Sequence, residues 1–280
     1  MNINEIKIVT DSSSDLLSLE GVAFGSAPLK IITTEKEYVD DQNLDVEGMV
    51  QDLSVYKGKS STSCPNTGDW LEAFGDTKYV FCVTITATLS GSYNSAVLAK
   101  SYYEELYPDR KVFVLNSLTT GPEMALIIDK IKELAEAGPG FHEVCEEITE
   151  YSKATGLLFI LESMKNLANN GRVSPLVAKV AGVLGIRVIG KASDKGDLQQ
   201  LSKARGQDKA LLTTVAHLEE LGLKSGKVKI AHCENKAAAE SLKALIDVNF
   251  PGAETEIYPC RGLCSFYAEK GGLLIGFEKN

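Results

Sequence analysis

The sequence predicts an α/β fold in two parts. The first is an N-terminal domain on a mostly parallel sheet with helices on both faces; the second is a C-terminal mixed α/β domain with antiparallel strands. Three observations carry this. Short β-rich runs alternate with helical stretches through the first half, the pattern of strand–helix–strand units. In the second half, two β-rich runs meet across a polar turn, Ser193 to Asp197, which fits a hairpin better than a crossover. A composition of 44% hydrophobic and 24% charged residues over 280 positions is globular, and that length suits about two domains.

Taken in order, Ile6-Lys7-Ile8-Val9-Thr10 is a short strand followed by the polar cluster Asp11-Ser12-Ser13-Ser14-Asp15. Similar runs recur at Lys78 to Val83, Lys111 to Leu115 and Leu157 to Leu161. Helical patterns fill the gaps at Ser92 to Tyr107, Pro122 to Ala137 and Gly140 to Lys153. The loops after these strands, beginning near Asp11, Thr84 and Asn116, sit where open α/β sheets hold ligands. Further on, a helical stretch over Ser174 to Leu184 leads into the hairpin strands Ile186 to Lys191 and Leu198 to Ala204. Helices at Gly206 to Leu221 and Lys236 to Val248 then alternate with strands at Lys227 to His232, Glu254 to Tyr258 and Gly272 to Phe277. The pattern changes near Thr155, so the domains are expected at 1–155 and 156–280.

Charge and composition exclude several classes. With 29 Lys+Arg against 38 Asp+Glu, a net charge of −9 speaks against a nucleic-acid binder with a broad basic face. No apolar run reaches a membrane-spanning length, and Glu5, Lys7, Asp11 and Asp15 interrupt any secretory h-region. A cytoplasmic protein is expected. Six scattered cysteines in a long chain suggest reduced thiols rather than a disulfide scaffold. A zinc site from Cys260, Cys264 and the His232-Cys233 pair is the less favoured reading, and no metal is expected.

Common catalytic signatures fail. Gly58-Lys59-Ser60 ends like a phosphate-binding loop, but Leu53 stands where its first glycine belongs. No GxGxxG follows the first strand, and no GxSxG surrounds any serine. Of three histidines, His142 and His217 fall in helical stretches and His232 ends a strand, so a Ser-His-Asp triad is poorly supplied.

What survives is a set of hydroxyl-rich loops and two arginines. Ser60-Ser61-Thr62-Ser63-Cys64-Pro65 is expected as an open loop, because Pro65 pushes Cys64 toward extended backbone. Thr84 to Ser92 joins a strand to a helix, placing Ser90, Gly91 and Ser92 at a helix N-terminus. Its N–H groups and dipole favour an anion there. Asn116 to Gly121 is a third loop of this kind. Helix capping explains any one of them; three on one sheet edge favour an anion-binding cleft. Arg172 follows the Asn-Gly turn at 170–171 and precedes Pro175, on an inter-helix loop. There its guanidinium can meet a carboxylate or phosphate, or form an interdomain ion pair. Arg205, after the second hairpin strand, is the weaker candidate.

These residues resemble the DegV family over essentially the whole chain. The matching pieces are Val9-Thr10-Asp11-Ser12, Thr62-Ser63 before a proline, Leu89-Ser90-Gly91-Ser92-Tyr93, Gly171-Arg172-Val173-Ser174 and the closing Gly271 to Phe277 segment. The resemblance implies two α/β domains with one long-chain fatty acid between them, its carboxylate held by hydroxyls of the Thr62 and Ser90 loops. It also implies a carrier that presents the acyl group to a separate fatty-acid kinase, with Arg172 and Arg205 serving the head group or that contact. Two positions depart from the family pattern: Cys64 stands where a glutamine is usual, and Tyr267 where a histidine is. Glu269 and Lys270 displace the glycine and proline that usually follow that histidine. Loss of the imidazole bears on the kinase-coupled role, whereas a tyrosine still donates one hydrogen bond to a carboxylate.

The expectation is therefore a non-catalytic fatty-acid-binding protein with no cofactor. Its ligand residues would be Thr62, Ser63, Ser90, Gly91, Ser92, Arg172 and Tyr267. Such a carrier needs an apolar tunnel closed by polar groups, not a nucleophile. Candidate tunnel residues are Met49, Phe74, Leu89, Phe159, Ile160 and Met164. The alternatives are an acyl- or phosphoryl-transfer enzyme using Ser90 or Thr62, and a sensor module whose lipid alters contact with a protein partner.

Overall fold

The computed structural model describes residues 1–175 and 185–280. In chain order its strands are β1 (Ile6–Asp11), β2 (Ala23–Ala27), β3 (Lys30–Ile32), β4 (Glu37–Val39), β5 (Ser61–Ser63), β6 (Tyr79–Thr84) and β7 (Lys111–Asn116). Six more follow. They are β8 (Thr155–Leu161), β9 (Ile186–Ala192), β10 (Leu198–Arg205), β11 (Ser225–His232), β12 (Gly252–Pro259) and β13 (Leu273–Glu278). The described helices begin with α1 (Val46–Val55), α2 (Thr67–Phe74), α3 (Ser92–Leu106), α4 (Pro122–Ala137) and α5 (Phe141–Tyr151). After the second sheet opens come α6 (Lys165–Asn169), α7 (Gln207–Glu220), α8 (Lys236–Asn249) and α9 (Gly262–Ala268). The helix expected over Ser174 to Leu184 lies, after Pro175, outside the described residues.

The first sheet has the order β2-β1-β6-β7 and is parallel throughout. Its side chains alternate between two apolar layers. Ile6, Ile8, Phe81 and Val83 pack with α4 and α5, while Val9, Val80, Cys82 and Val112 pack with α2 and α3. Burial on both faces explains why these strands read as near-continuous apolar runs. Its C-terminal edge carries the turns after Asp11, Thr84 and Asn116.

The second sheet runs β10-β9-β8-β13-β11-β12, antiparallel except for the β11–β12 pair. The run at Leu157 to Leu161, which continues the strand–helix alternation in sequence, joins this sheet and pairs antiparallel on both sides. The hairpin of β9 and β10 forms as expected. Leu158, Ile160, Leu273, Ile275 and Phe277 face the layer of α7 and α8, whereas Leu157, Phe159, Leu161 and Leu274 pack on the opposite side with Cys264 and Ala268 of α9. A period of two therefore sorts each strand between a helix-covered side and an inner side.

Between the sheets lies α4, which touches β1 and β6 on one side and β8, β11 and β13 on the other. Its residues Pro122 to Ile128 are buried all round. Pro122 sits in its first turn and Gly138 ends it in the left-handed conformation. A third, small sheet of order β4-β3-β5 overturns one expectation. The 60–65 segment is not an open loop, because Ser61–Ser63 pairs antiparallel with β3, Thr62 opposite Ile31. Pro65 enforces extended backbone, and a neighbouring strand with free hydrogen-bonding groups captures it.

Candidate functional site

A cavity of about 280 Å³ opens between the two large sheets. Leu157, Phe159, Leu161 and Leu274 supply its inner-sheet wall, Leu198 adds the hairpin, and Ile85 and Leu89 come from the loop after β6. The remaining wall is α9, through Leu263, Cys264, Tyr267 and Ala268. Polar side chains complete the lining: Thr62, Ser63, Ser90 and Arg172, and Thr120 from the loop after β7, which donates to the Ser13 carbonyl. An apolar pocket with a few convergent polar groups is the usual build of a small-molecule site.

Each polar group is placed by its own element. Strand β5 turns Thr62 inward, where its Oγ1 lies 2.7 Å from the Tyr267 hydroxyl on α9. Ser90 precedes α3, and its Oγ accepts from the Ser92 amide at 3.3 Å. Gly91 is the N-cap residue of α3 and offers no side chain to that helix end. A methyl there would stand 3.1 Å from Cys64 Sγ, so glycine lets β5 and α3 approach. Arg172 reaches from the loop after α6 to donate from Nε to the Leu89 carbonyl at 3.1 Å, its guanidinium 6.0 Å from the centre of the Tyr267 ring. That bond spans the gap between segments from the two halves of the chain.

Three buried aspartates hold this frame. Asp11 Oδ2 accepts from the Ile85 amide at 2.9 Å and from Ser92 Oγ at 2.6 Å, while Oδ1 accepts from the amide and hydroxyl of Ser13. Asp40 accepts the Gly262 and Leu263 amides at 3.0 and 2.8 Å, capping α9 from another part of the chain. Asp15, in the left-handed conformation at φ 62°, accepts the Arg261 amide at 2.8 Å. Burial pushes all three carboxyls upward, Asp15 to about 8, against the opposing pull of their hydrogen bonds. Glu123, bonded to Thr155 Oγ1 at 2.8 Å, is likewise pushed up by burial to about 7. Tyr267 is raised too, chiefly by desolvation.

The tip of the β9–β10 hairpin docks on the loop after β6. Thr88 Oγ1 donates to the Gly196 carbonyl at 2.8 Å. Gly196 has φ +83°, and a methyl on it would fall 2.0 Å from Thr86 Oγ1, so only glycine permits this seat. The contact brings Leu198 over the cavity.

Of the sequence-predicted residues, Thr62, Ser63, Ser90, Gly91, Arg172 and Tyr267 come together at the cavity. Ser92 does not. It is fully buried and its hydroxyl points to Asp11, because the first turn of α3 rotates it inward. Arg205 is exposed at the end of β10 and is not among the cavity residues. Among the tunnel candidates, Leu89 and Phe159 line the cavity. Met49 packs under the small sheet, Phe74 at the end of α2 against α3 and the first sheet, Ile160 on the helix side of the second sheet, and Met164 in the layer beside the cavity. Thr120, from the third hydroxyl-rich loop expected from the sequence, also lines the cavity. Cys264 and the wall of α9 other than Tyr267 are additions, and nothing in their spacing singles them out.

All six cysteines are free thiols, and among the described residues no group of three or more metal-ligating side chains could hold an ion. Burial pushes Cys233 up to about 11 and raises Cys260 and Cys264. Among the described residues no helix is long and apolar enough to cross a membrane.

Comparison with known proteins places this geometry. The chain is 43% identical over 276 residues to a DegV domain-containing protein of Streptococcus pneumoniae, covering 97% of this chain and 98% of that relative. The crystal structure of a DegV family protein from Eubacterium eligens, loaded with heptadecanoic acid, superposes with a TM-score of 0.97 at 42% identity, over 98% of this chain and 100% of that one. The fatty acid kinase (Fak) B3 protein of Streptococcus pneumoniae, loaded with linoleic acid, matches with a TM-score of 0.97 at 42% identity, over the full length of both chains. The family profile described as "uncharacterised protein, DegV family" matches residues 5–280, and the chain belongs to the DegV family.

Proposed function

We propose that this protein binds one long-chain fatty acid in the cavity between its two large sheets, as a non-catalytic carrier. The observation that carries the reading is the cavity itself, a leucine-rich space whose polar residues include the Thr62–Tyr267 hydrogen-bonded pair and the start of α3, where the N-cap Gly91 has no side chain to offer. The carboxylate takes donors from Thr62, Ser63, Ser90 and Tyr267, the Gly91 end of α3 and the Arg172 guanidinium. Each methylene buried among the leucines contributes about 0.8 kcal/mol, so a long chain outweighs the ordering cost. The two similar crystal structures loaded with fatty acids support this ligand class.

The carrier role, as against catalysis, rests on the chemistry of the lining. Among the described lining residues there is no imidazole or carboxylate to take a proton from Ser90 or Thr62. The relative that carries the name of fatty acid kinase supports a kinase as partner. Arg205, exposed at the end of β10, is proposed as a contact for it, and the cytoplasm as the site of action. The halves 1–155 and 156–280 act as two lobes, joined through α4. Native mass spectrometry of the protein purified from cells tests the reading: an added mass equal to a long-chain fatty acid is expected. Apo-protein that takes up neither palmitate nor oleate would sink it.

A further inference from the structure

We infer that Phe159 and Gly190, paired across β8 and β9, set how much acyl chain the cavity accepts, an inference that rests on the fatty-acid reading above. Phe159 is the one phenylalanine among the described lining residues, and it is fully buried. Gly190 is its cross-strand partner on β9. A methyl added at Gly190 would lie 2.3 Å from Phe159 Cζ and 2.6 Å from Cε2. The tip of the ring therefore sits over the bare backbone of β9. It occupies the place a side chain at 190 would fill, and leaves the space above it open.

Elsewhere the inner surface is filled: the other glycine on that face, Gly276, is covered by the start of α4. Leu274 pairs with Phe159 from β13, and Leu157 and Leu161 flank it two residues away on β8, all three lining the cavity. A ring lifted off Gly190 has only the cavity to enter, since interiors are close-packed and the neighbours do not yield. A smaller side chain at 159 has the reverse effect, opening a groove that reaches the β9 backbone. The pair works as a depth setting, with the ring as the movable volume and the glycine as the recess that holds it.

The test uses delipidated full-length protein and a graded series of straight-chain acids from lauric to arachidic. Gly190→Ala is expected to move the preferred length shorter, with about tenfold or greater loss for the longest acid that wild type binds. Phe159→Leu and Phe159→Ala move it longer, at about fourfold in affinity per methylene newly accommodated. Because the methyl at 190 also approaches the Gln199 carbonyl at 2.5 Å, backbone strain must be separated from ring displacement. The double variant Gly190→Ala with Phe159→Ala does this: it should show the length profile of Phe159→Ala alone. Folded, loadable variants that keep the wild-type optimum, or a Gly190→Ala effect undiminished in the Phe159→Ala background, would overturn the pair's role while leaving the ligand class standing. Wild type that takes up none of the acids would overturn the ligand class, and this inference with it.

Discussion

Thr62 and Tyr267 share one short hydrogen bond, so one hydroxyl proton serves the pair and the other is free for an anion. Tyr267→Phe removes that donor and leaves the cavity wall intact. Fatty-acid affinity should fall about tenfold or more, the worth of a hydrogen bond to a charged group, while a fatty alcohol loses less. Isothermal titration with both ligands decides it; equal losses would mean that the hydroxyl does not touch the carboxylate. Asp15 gives a second residue-level expectation. Its carboxyl titrates near 8 when folded and ~3.9 when unfolded, so between those values the folded state holds the extra proton. Its contribution to stability is complete below about pH 4 and is lost as pH rises toward 8. Asp15→Asn mimics the protonated form, so its melting temperature relative to wild type should rise between pH 5 and pH 8.5. A flat difference would show that Asp15 is ionised throughout. At this scale the sequence exposed Thr62, Ser90 and Arg172, since a hydroxyl or guanidinium beyond a strand or helix end needs a reason. It hid the direction of Ser92, because helix phase near an N-terminus follows from a buried acceptor, Asp11, eighty-one residues away.

Helix α9 is seven residues long and buried on nearly every side, and its first amides are held by Asp40. Removing that carboxylate strands two amides away from water. Asp40→Ala should cost about 2–4 kcal/mol in urea unfolding, from lost capping plus unmet donors. Because Tyr267 rides on the same helix, fatty-acid affinity should fall with it. Normal affinity in a destabilised variant would show that α9 keeps its place without the cap. The long elements were legible for a physical reason. Helix α4 and the stretch that became α3 repeat their apolar residues over several turns, and β6 and β11 carry β-branched runs. The small sheet was not, because β3, β4 and β5 have three residues each, too few for alternation to register. Nor was α9, whose all-round burial erases the amphipathic stripe that marks a helix.

At the scale of the molecule, the cavity is walled by the second sheet and by loops beyond the first, so a ligand there joins the two halves. Saturating fatty acid should raise the melting temperature of delipidated protein by several degrees. Ligand at a hundredfold over its dissociation constant adds about 2.7 kcal/mol, and chains of this size gain roughly 2–4 °C for each. Differential scanning fluorimetry with and without palmitate checks it, and an unchanged midpoint would count against a ligand held between the halves. The overall plan was readable because parallel and antiparallel runs leave different punctuation. The antiparallel pairing of Leu157 to Leu161 was not, since a strand's partners are chosen by the whole chain.

The burial of α4 on both flanks bears on traffic. Hinging the sheets apart like covers of a book would pull the start of α4 away from Gly276, break the buried Glu123–Thr155 hydrogen bond and set buried surface against water. The spine of this book is glued on both sides. Passage in and out therefore belongs to the rim, through loosening of a few side chains around the mouth, and its rate should stay level in urea concentrations too low to melt the spine.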